Sequence, residues 1–274
     1  MKIFSKNCKL LLANHDCPNV LKNIKASAWW SVTKSEGVDF AALPIKVDGQ
    51  QTIADIYEKG LKVGQITLPI PGLHNLSNAI AGIAASRMKG IPFKVLQNNV
   101  SFLKTPGRRF DFRGIWKGRQ IFDDYAHHPS EVNATLKMAR LIIKSGKSQL
   151  TKAPKRLVTV FQPHRYSRTN QFLKDFATAL SKSDLILLAP IYSAGEKPIE
   201  GISSEYLATY IKKLHPSIPV LTAKNFKELS SFVENYTKQD DLVITMGAGD
   251  INKLWEALNK ENPTMIWQES RLAA

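Results

Sequence analysis

The sequence predicts an α/β protein: part of a mixed sheet over residues 1–105, followed by a doubly wound parallel sheet over residues 106–260. Two patterns carry this. Beyond Gln120, short apolar runs alternate with segments of helical period, as in a parallel sheet whose strands are joined by helices. Before Pro69, apolar runs are separated only by turn signals at Asp48-Gly49, Lys59-Gly60 and Gly64, which suits antiparallel neighbours at the edge of a mixed sheet. Thr105-Pro106-Gly107 lies between the two patterns and reads as a hinge.

In chain order, Cys8 to Ala13 is apolar enough for a buried strand, Asn14 to Pro18 is a turn, and Ala26 to Val32 is a second strand. Antiparallel strands fill Asp39 to Pro69. Pro71 and Gly72 break the sheet, and a helix with Ile80, Ile83, Ala84 and Met88 on its apolar stripe runs to a stop at Gly90. A helix from Pro92 to Lys104 leads to the hinge. A strand then ends at Trp116, Lys117-Gly118 turns the chain, and the next strand opens at Gln120. Further helices are expected from Pro129 to Lys144, Thr169 to Ser181, Ser203 to Leu214, Phe226 to Tyr236 and Asp250 to Asn259. The strands between them fall at Leu157, Asp184 to Ala189, Val220 and Leu242 to Met246. This is a doubly wound, Rossmann-like order. Residues 261–274 show no clear period and read as a tail.

A chain of 274 residues with 43% hydrophobic and 22% charged content can bury a core and is globular in composition. No stretch approaches the roughly 18 apolar residues of a membrane span. Met1 to Lys6 is too short for a secretory signal, so the expected location is cytoplasmic. Cys8 and Cys17 lack paired metal-site spacing and read as reduced thiols. A formal charge of +15 favours anionic ligands. Nucleic acid is set aside because the lysines are scattered and no recognition-helix, zinc-finger or aromatic RNA-binding pattern is present.

Two stretches carry chemistry. Gln120 to Glu131 runs from an apolar pair into Asp123, Asp124, Tyr125, His127 and His128 before Pro129 opens a helix. Val158 to Thr169 repeats the design, with His164, Arg165 and Arg168 after an apolar run. Ligands of open parallel sheets bind beyond the carboxyl ends of the strands, so both clusters would face one crevice. Guanidiniums beside free helix amides suit a carboxylate or phosphate. Acids and His in such loops also serve as turn and capping residues, and that reading stands beside the functional one. Gly146-Lys147-Ser148 has the end of a phosphate loop, but the earlier glycine falls at Leu141 inside a helix, so it takes no phosphate role. Met246-Gly247-Ala248-Gly249-Asp250 reads as loop shape and packing near the site.

Asp-Asp-Tyr-Ala-His-His-Pro at Asp123, Phe-Gln-Pro-His-Arg-Tyr-Ser-Arg-Thr at Phe161 and Met-Gly-Ala-Gly-Asp-Ile at Met246 together resemble the Mur ligase family. Within it, the arginine loop favours members that take L-alanine. The resemblance implies a central ATP-binding domain remnant over 1–105 and a C-terminal Mur ligase domain over 106–260. It implies activation of the UDP-N-acetylmuramate carboxylate by ATP with Mg2+, then attack by the amine of L-alanine, in peptidoglycan precursor synthesis. His74, Asn75, Asn78 and Ala79 match the family's adenine-contacting pattern. Arg109, followed by Phe110 and Asp111, matches a phosphate-reaching arginine, and Asp124 would contact the nucleotide. Arg165 and Arg168 would hold the L-alanine carboxylate, with Tyr125, His127 and His164 around it.

The family's Gly-x-x-Gly-Lys-Thr loop, Mg2+ ligands and UDP-binding domain have no counterpart here, and the match covers roughly the family's last three-fifths. The chain alone is therefore expected not to ligate, and a non-catalytic nucleotide- or amino-acid-binding protein is the alternative. Oligomeric state is not legible.

Overall fold

The computed structural model describes residues 2–146 and 153–261, in two compact units, Met1–Lys104 and Thr105–Ala274. In the first, α1 (Lys2–Lys6), β1 (Leu12–Asn14), α2 (Pro18–Asn23) and β2 (Ala28–Ser31) precede β3 (Phe40–Val47), β4 (Thr52–Glu58), β5 (Leu61–Leu68), α3 (Leu73–Met88) and α4 (Phe93–Asn99). The strands lie in the order β1-β2-β3-β4-β5. β1, β2 and β3 are parallel, while β3, β4 and β5 meander antiparallel, which makes the sheet mixed. Ala54 and Ile56 of β4 and Ile66 and Leu68 of β5 face inward and pack with Leu76, Ile80 and Ile83 of α3. That i, i+4, i+7 stripe gives α3 its buried face. Gly72, at φ 103°, turns the chain into α3, and its amide donates to Thr52 Oγ1 at 3.1 Å.

The second unit contains β6 (Asp111–Trp116), β7 (Arg119–Asp124), α5 (Pro129–Ser145), β8 (Arg156–Phe161), α6 (Tyr166–Gln171), α7 (Leu173–Leu180), β9 (Leu185–Leu188), α8 (Ser204–Leu214), β10 (Val220–Thr222), α9 (Phe226–Tyr236), β11 (Asp241–Met246) and α10 (Lys253–Glu261). Its sheet order is β10-β9-β8-β11-β7-β6, parallel except for the β6–β7 hairpin at one edge. Period-2 alternation sends Leu157 and Phe161 of β8 to one face with Val132 and Leu136 of α5, Phe176 of α7 and Leu207 of α8. It sends Val158 and Val160 to the other with Leu229 of α9 and Leu254 and Trp255 of α10. Burial on both faces explains why these strands are nearly continuous apolar runs. β11 is inserted between β7 and β8, so the carboxyl ends of these strands meet at a switch in strand order, where open sheets bind ligands.

Several boundaries differ from the sequence reading. The first strand occupies Leu12–Asn14 rather than Cys8 to Ala13, and α1 and α2 were not expected. The helix expected from Pro92 to Lys104 is α4 followed by a 3-10 turn at Val100–Phe102. The one expected from Thr169 to Ser181 starts earlier and breaks at Phe172 into α6 and α7. The last begins at Lys253, because the Gly247 to Asp250 turn is held off the helix by contacts described below. Gly146 ends α5 in the left-handed conformation at φ 63°. Lys147 and Ser148, and the tail from Asn262, lie outside the described residues.

Candidate active site at the carboxyl ends of the sheet

His128 caps α5 in extended conformation, with Pro129 at the first helical position and Glu131 closing a capping box. Glu131 Oε2 accepts from the His127 and His128 amides, both at 3.1 Å. Burial pulls the Glu131 carboxyl up, but these two amides and the nearby His127 and Arg109 outweigh it and leave it below the usual range. Local chemistry thus builds the turn that presents Tyr125 and His127.

Asp123 and Asp124 have different partners. Asp123 accepts from Arg108 Nε at 2.9 Å and from Thr245 Oγ1 at 2.7 Å. Arg108 Nη2 also donates to Gly247 O at 2.8 Å, and its guanidinium lies 5.1 Å from the centre of the Tyr125 ring. The Asp124 carboxylate accepts from the amides of Ala126 at 2.7 Å and Phe110 at 2.8 Å, and burial pushes its carboxyl up to about 6 despite these bonds. Asp124 therefore pins the loop carrying Arg109, which is itself exposed.

On the adjacent turn, Arg165 is the N-cap of α6 at φ 72°. Its guanidinium lies 3.8 Å from Glu196, whose carboxylate is engaged mainly by the Ser167 hydroxyl at 2.7 Å and amide at 3.1 Å. Arg168 Nη1 donates to His164 Nδ1 at 3.3 Å, and among the described residues Arg168 has no carboxylate partner. Both arginines are thus available to a carboxylate ligand.

The imidazoles His127 and His164 stand 5.7 Å apart. His127 Nδ1 lies 2.9 Å from the Tyr125 carbonyl, which can only accept, so a neutral His127 carries its proton on Nδ1 and a lone pair on Nε2. His164 Nδ1 accepts from Arg168, so its proton sits on Nε2. Burial first, then Arg168, His127 and Arg165, hold His164 below the usual imidazole value. The hydrogen bonds therefore set opposite tautomers for the neutral forms of the two rings, with Nε2 of His127 an acceptor and Nε2 of His164 a donor.

Tyr125, His127, His164, Arg165 and Arg168 are brought together, with Asp124 behind them. His74, Asn75 and Asn78 belong to the first unit. His74 and Asn78 are exposed, and Asn75 Nδ2 donates to Pro71 O at 2.8 Å, a local contact at the helix start. Sequence reasoning missed Arg108, Gln162, Tyr192 and Glu196 as parts of the site. Arg108, next to Arg109, and Gln162, inside the second motif, carried a local signal; Tyr192 and Glu196 carried none. Among the described residues no group of three or more His, Cys, Asp or Glu is gathered to hold a metal.

A family model described as the glutamate ligase domain of Mur ligases matches residues 108–249, more than half of the 274 residues. The chain is 61% identical over 260 residues to a UDP-N-acetylmuramate–L-alanine ligase of Prochlorococcus marinus strain MIT 9303, covering 95% of this chain and 53% of that protein. It is 56% identical over 261 residues to one of Synechococcus sp. strain CC9311, covering 95% and 54%. The chain thus spans about half the length of the curated relatives it matches. Among solved structures, the UDP-N-acetylmuramate–alanine ligase of Thermotoga maritima has a TM-score of 0.72 at 20% identity, covering 94% of this chain and 53% of that one. The MurF ligase of the same organism in complex with ADP has a TM-score of 0.64 at 17% identity, covering 94% and 55%. These structures share the fold. With the family model matching across both chemistry-bearing turns, the chain belongs to the Mur ligase family.

Proposed function

We propose that the chain is the nucleotide- and amino-acid-binding part of a cytoplasmic, ATP-dependent ligase that joins L-alanine to UDP-N-acetylmuramate in peptidoglycan precursor synthesis. The observation that carries this is Arg168, a guanidinium without a carboxylate partner among the described residues, beside Arg165 and two imidazoles of opposite tautomer. An amino acid supplies what this site lacks: a carboxylate for the arginines and an ammonium for the Nε2 of His127, whose Nδ1 is turned to the Tyr125 carbonyl.

Arg165 and Arg168 hold the L-alanine carboxylate, and Tyr125, His127 and His164 surround its amine. His127 Nε2 takes one proton from the ammonium. The freed lone pair attacks the carbonyl carbon of the acyl phosphate made from UDP-N-acetylmuramate and ATP. As the C–N bond forms, the C–O bond to phosphate breaks, and the second amine proton leaves with the phosphate. Arg109, on the loop pinned by Asp124, serves the nucleotide phosphates, and His74, Asn75 and Asn78 serve its adenine. Mg2+, when bound, would offset phosphate charge; no described residues form its ligand set, and no step here depends on it.

Calorimetric titration of the chain with L-alanine tests the reading. L-alanine should bind, D-alanine and β-alanine should bind more weakly, and Arg168→Ala should abolish the heat. Equal binding of all three, or none, would overturn it.

A further inference from the structure

The segment after β9 has no role in the reading above, yet it reaches the centre of the site. The Tyr192 amide donates to Pro163 O at 2.9 Å and its carbonyl accepts from Arg165 N at 2.8 Å, so it bridges to His164 as a short piece of parallel ladder. Its ring lies nearly parallel to the His164 imidazole, with centroids 5.5 Å apart and planes 14° apart. Against the ring sits Gly249, from the turn after β11. A Cβ on Gly249 would stand 2.6 Å from Tyr192 Cγ and closer still to Gln162 Oε1. The two neighbours differ: Gln162 is 2% exposed and anchored by Nε2 to Asp250 Oδ1 at 2.9 Å, whereas Tyr192 is 39% exposed and held through its backbone, so a Cβ on Gly249 would swing the ring off His164.

We propose that Tyr192, seated on Gly249, is a positioning residue for His164, fixing its ring plane and so the direction of the Nε2–H left for a ligand. Rotation of an imidazole about its last side-chain bond is broad and roughly two-fold. A single 3.3 Å bond from the long Arg168 side chain is a weak restraint against it, whereas a stacked ring on a rigid backbone is a strong one. The charged and titratable groups facing His164 are Arg168 of α6, Arg165 at its cap, His127 from the turn before α5 and Glu196 beyond Tyr192. Arg168 and Arg165, and His127 when protonated, favour the neutral ring, and Glu196 opposes it. The glycine turn after β11 thereby gains a role in the site, because only a residue without a side chain lets Tyr192 approach.

The link to ligand binding rests on the amino-acid site proposed above, so the test has two arms. In the first, the chain is labelled with 15N-histidine and the six imidazoles are followed by NMR across pH. Wild type and Tyr192→Phe should show His164 protonated on Nε2 alone near neutral pH. Tyr192→Leu and Gly249→Ala, each shown to be folded by circular dichroism, should show mixed tautomers and titrate closer to a free imidazole. In the second arm, L-alanine affinity should fall roughly three- to tenfold in Tyr192→Leu, the loss of one well-aimed hydrogen bond, and stay within about twofold in Tyr192→Phe. An unchanged His164 tautomer and titration in both Tyr192→Leu and Gly249→Ala would overturn the proposal. If wild type binds no L-alanine but the NMR arm behaves as expected, the positioning role stands and the amino-acid site falls.

Discussion

Replacing Asp124 with Asn should leave the protein folded but erase one component of its pH dependence. The Asp124 carboxyl is 8% exposed, and burial raises it from 3.8 to about 6. A group that holds its proton more tightly folded than unfolded stabilises the protein most below its unfolded value. That stabilisation is lost as pH rises through the window from 3.8 to about 6 and stays lost above it. The displacement corresponds to about 3 kcal/mol. Glu131, Asp184 and Asp16 lie below the usual range and act in the opposite sense, losing stability as pH falls, so only a difference between wild type and variant isolates Asp124. In the variant one amide nitrogen faces either Phe110 N or Ala126 N, leaving a donor unpaired at a cost of about 1–3 kcal/mol at any pH. Urea unfolding followed by circular dichroism from about pH 4 to 7.5 should therefore show wild type ahead at the acid end, with its lead shrinking by roughly 2.5 kcal/mol toward neutrality, the rest of the displacement lying below about pH 4. A lead that is constant or grows with pH would refute the burial argument. Because the Phe110 amide released by the substitution neighbours Arg109, the same variant, in a chain extended to the length of its relatives, should lose ATP use while keeping its alanine KM.

Three further outcomes follow from the geometry. Arg168→Lys keeps the charge but loses the planar fork, so L-alanine binding should weaken by about ten- to a hundredfold in calorimetry; unchanged affinity would remove Arg168 from the site. Gly247→Ala places a Cβ 2.9 Å from the Gln162 carbonyl at φ 153° and should lower stability by about 2 kcal/mol in urea unfolding. Limited proteolysis should cut near Thr105 to Gly107 and leave a stable piece ending in the doubly wound unit; a stable N-terminal piece instead would contradict this.

The strand, loop and helix of each chemistry-bearing turn were legible because their signals are local. An apolar run ends, Pro129 sets the first helical φ, and Glu131 reaches back three residues to complete the cap. The same holds for the alternation of strands and helices, since period-2 and period-3.6 burial are properties of neighbouring residues. Placing both clusters in one crevice needed only the rule that parallel strands share a direction. What the sequence could not decide is which strand lies between them. β11 enters last and pairs with both β7 and β8, so Arg108 meets Gly247, 139 residues away, Gln162 meets Asp250, and Gly249 supports Tyr192. Such contacts leave no periodic trace, because a hydrogen bond or stack across strands depends on strand order and not on spacing along the chain. Asp123 and Asp124, adjacent in sequence, likewise differ only in the folded protein: alternation along β7 turns one toward Arg108 and Thr245 and the other toward the Phe110 and Ala126 amides. Residue type and local order determined what chemistry this chain can hold; the strand insertion decided which groups hold it still.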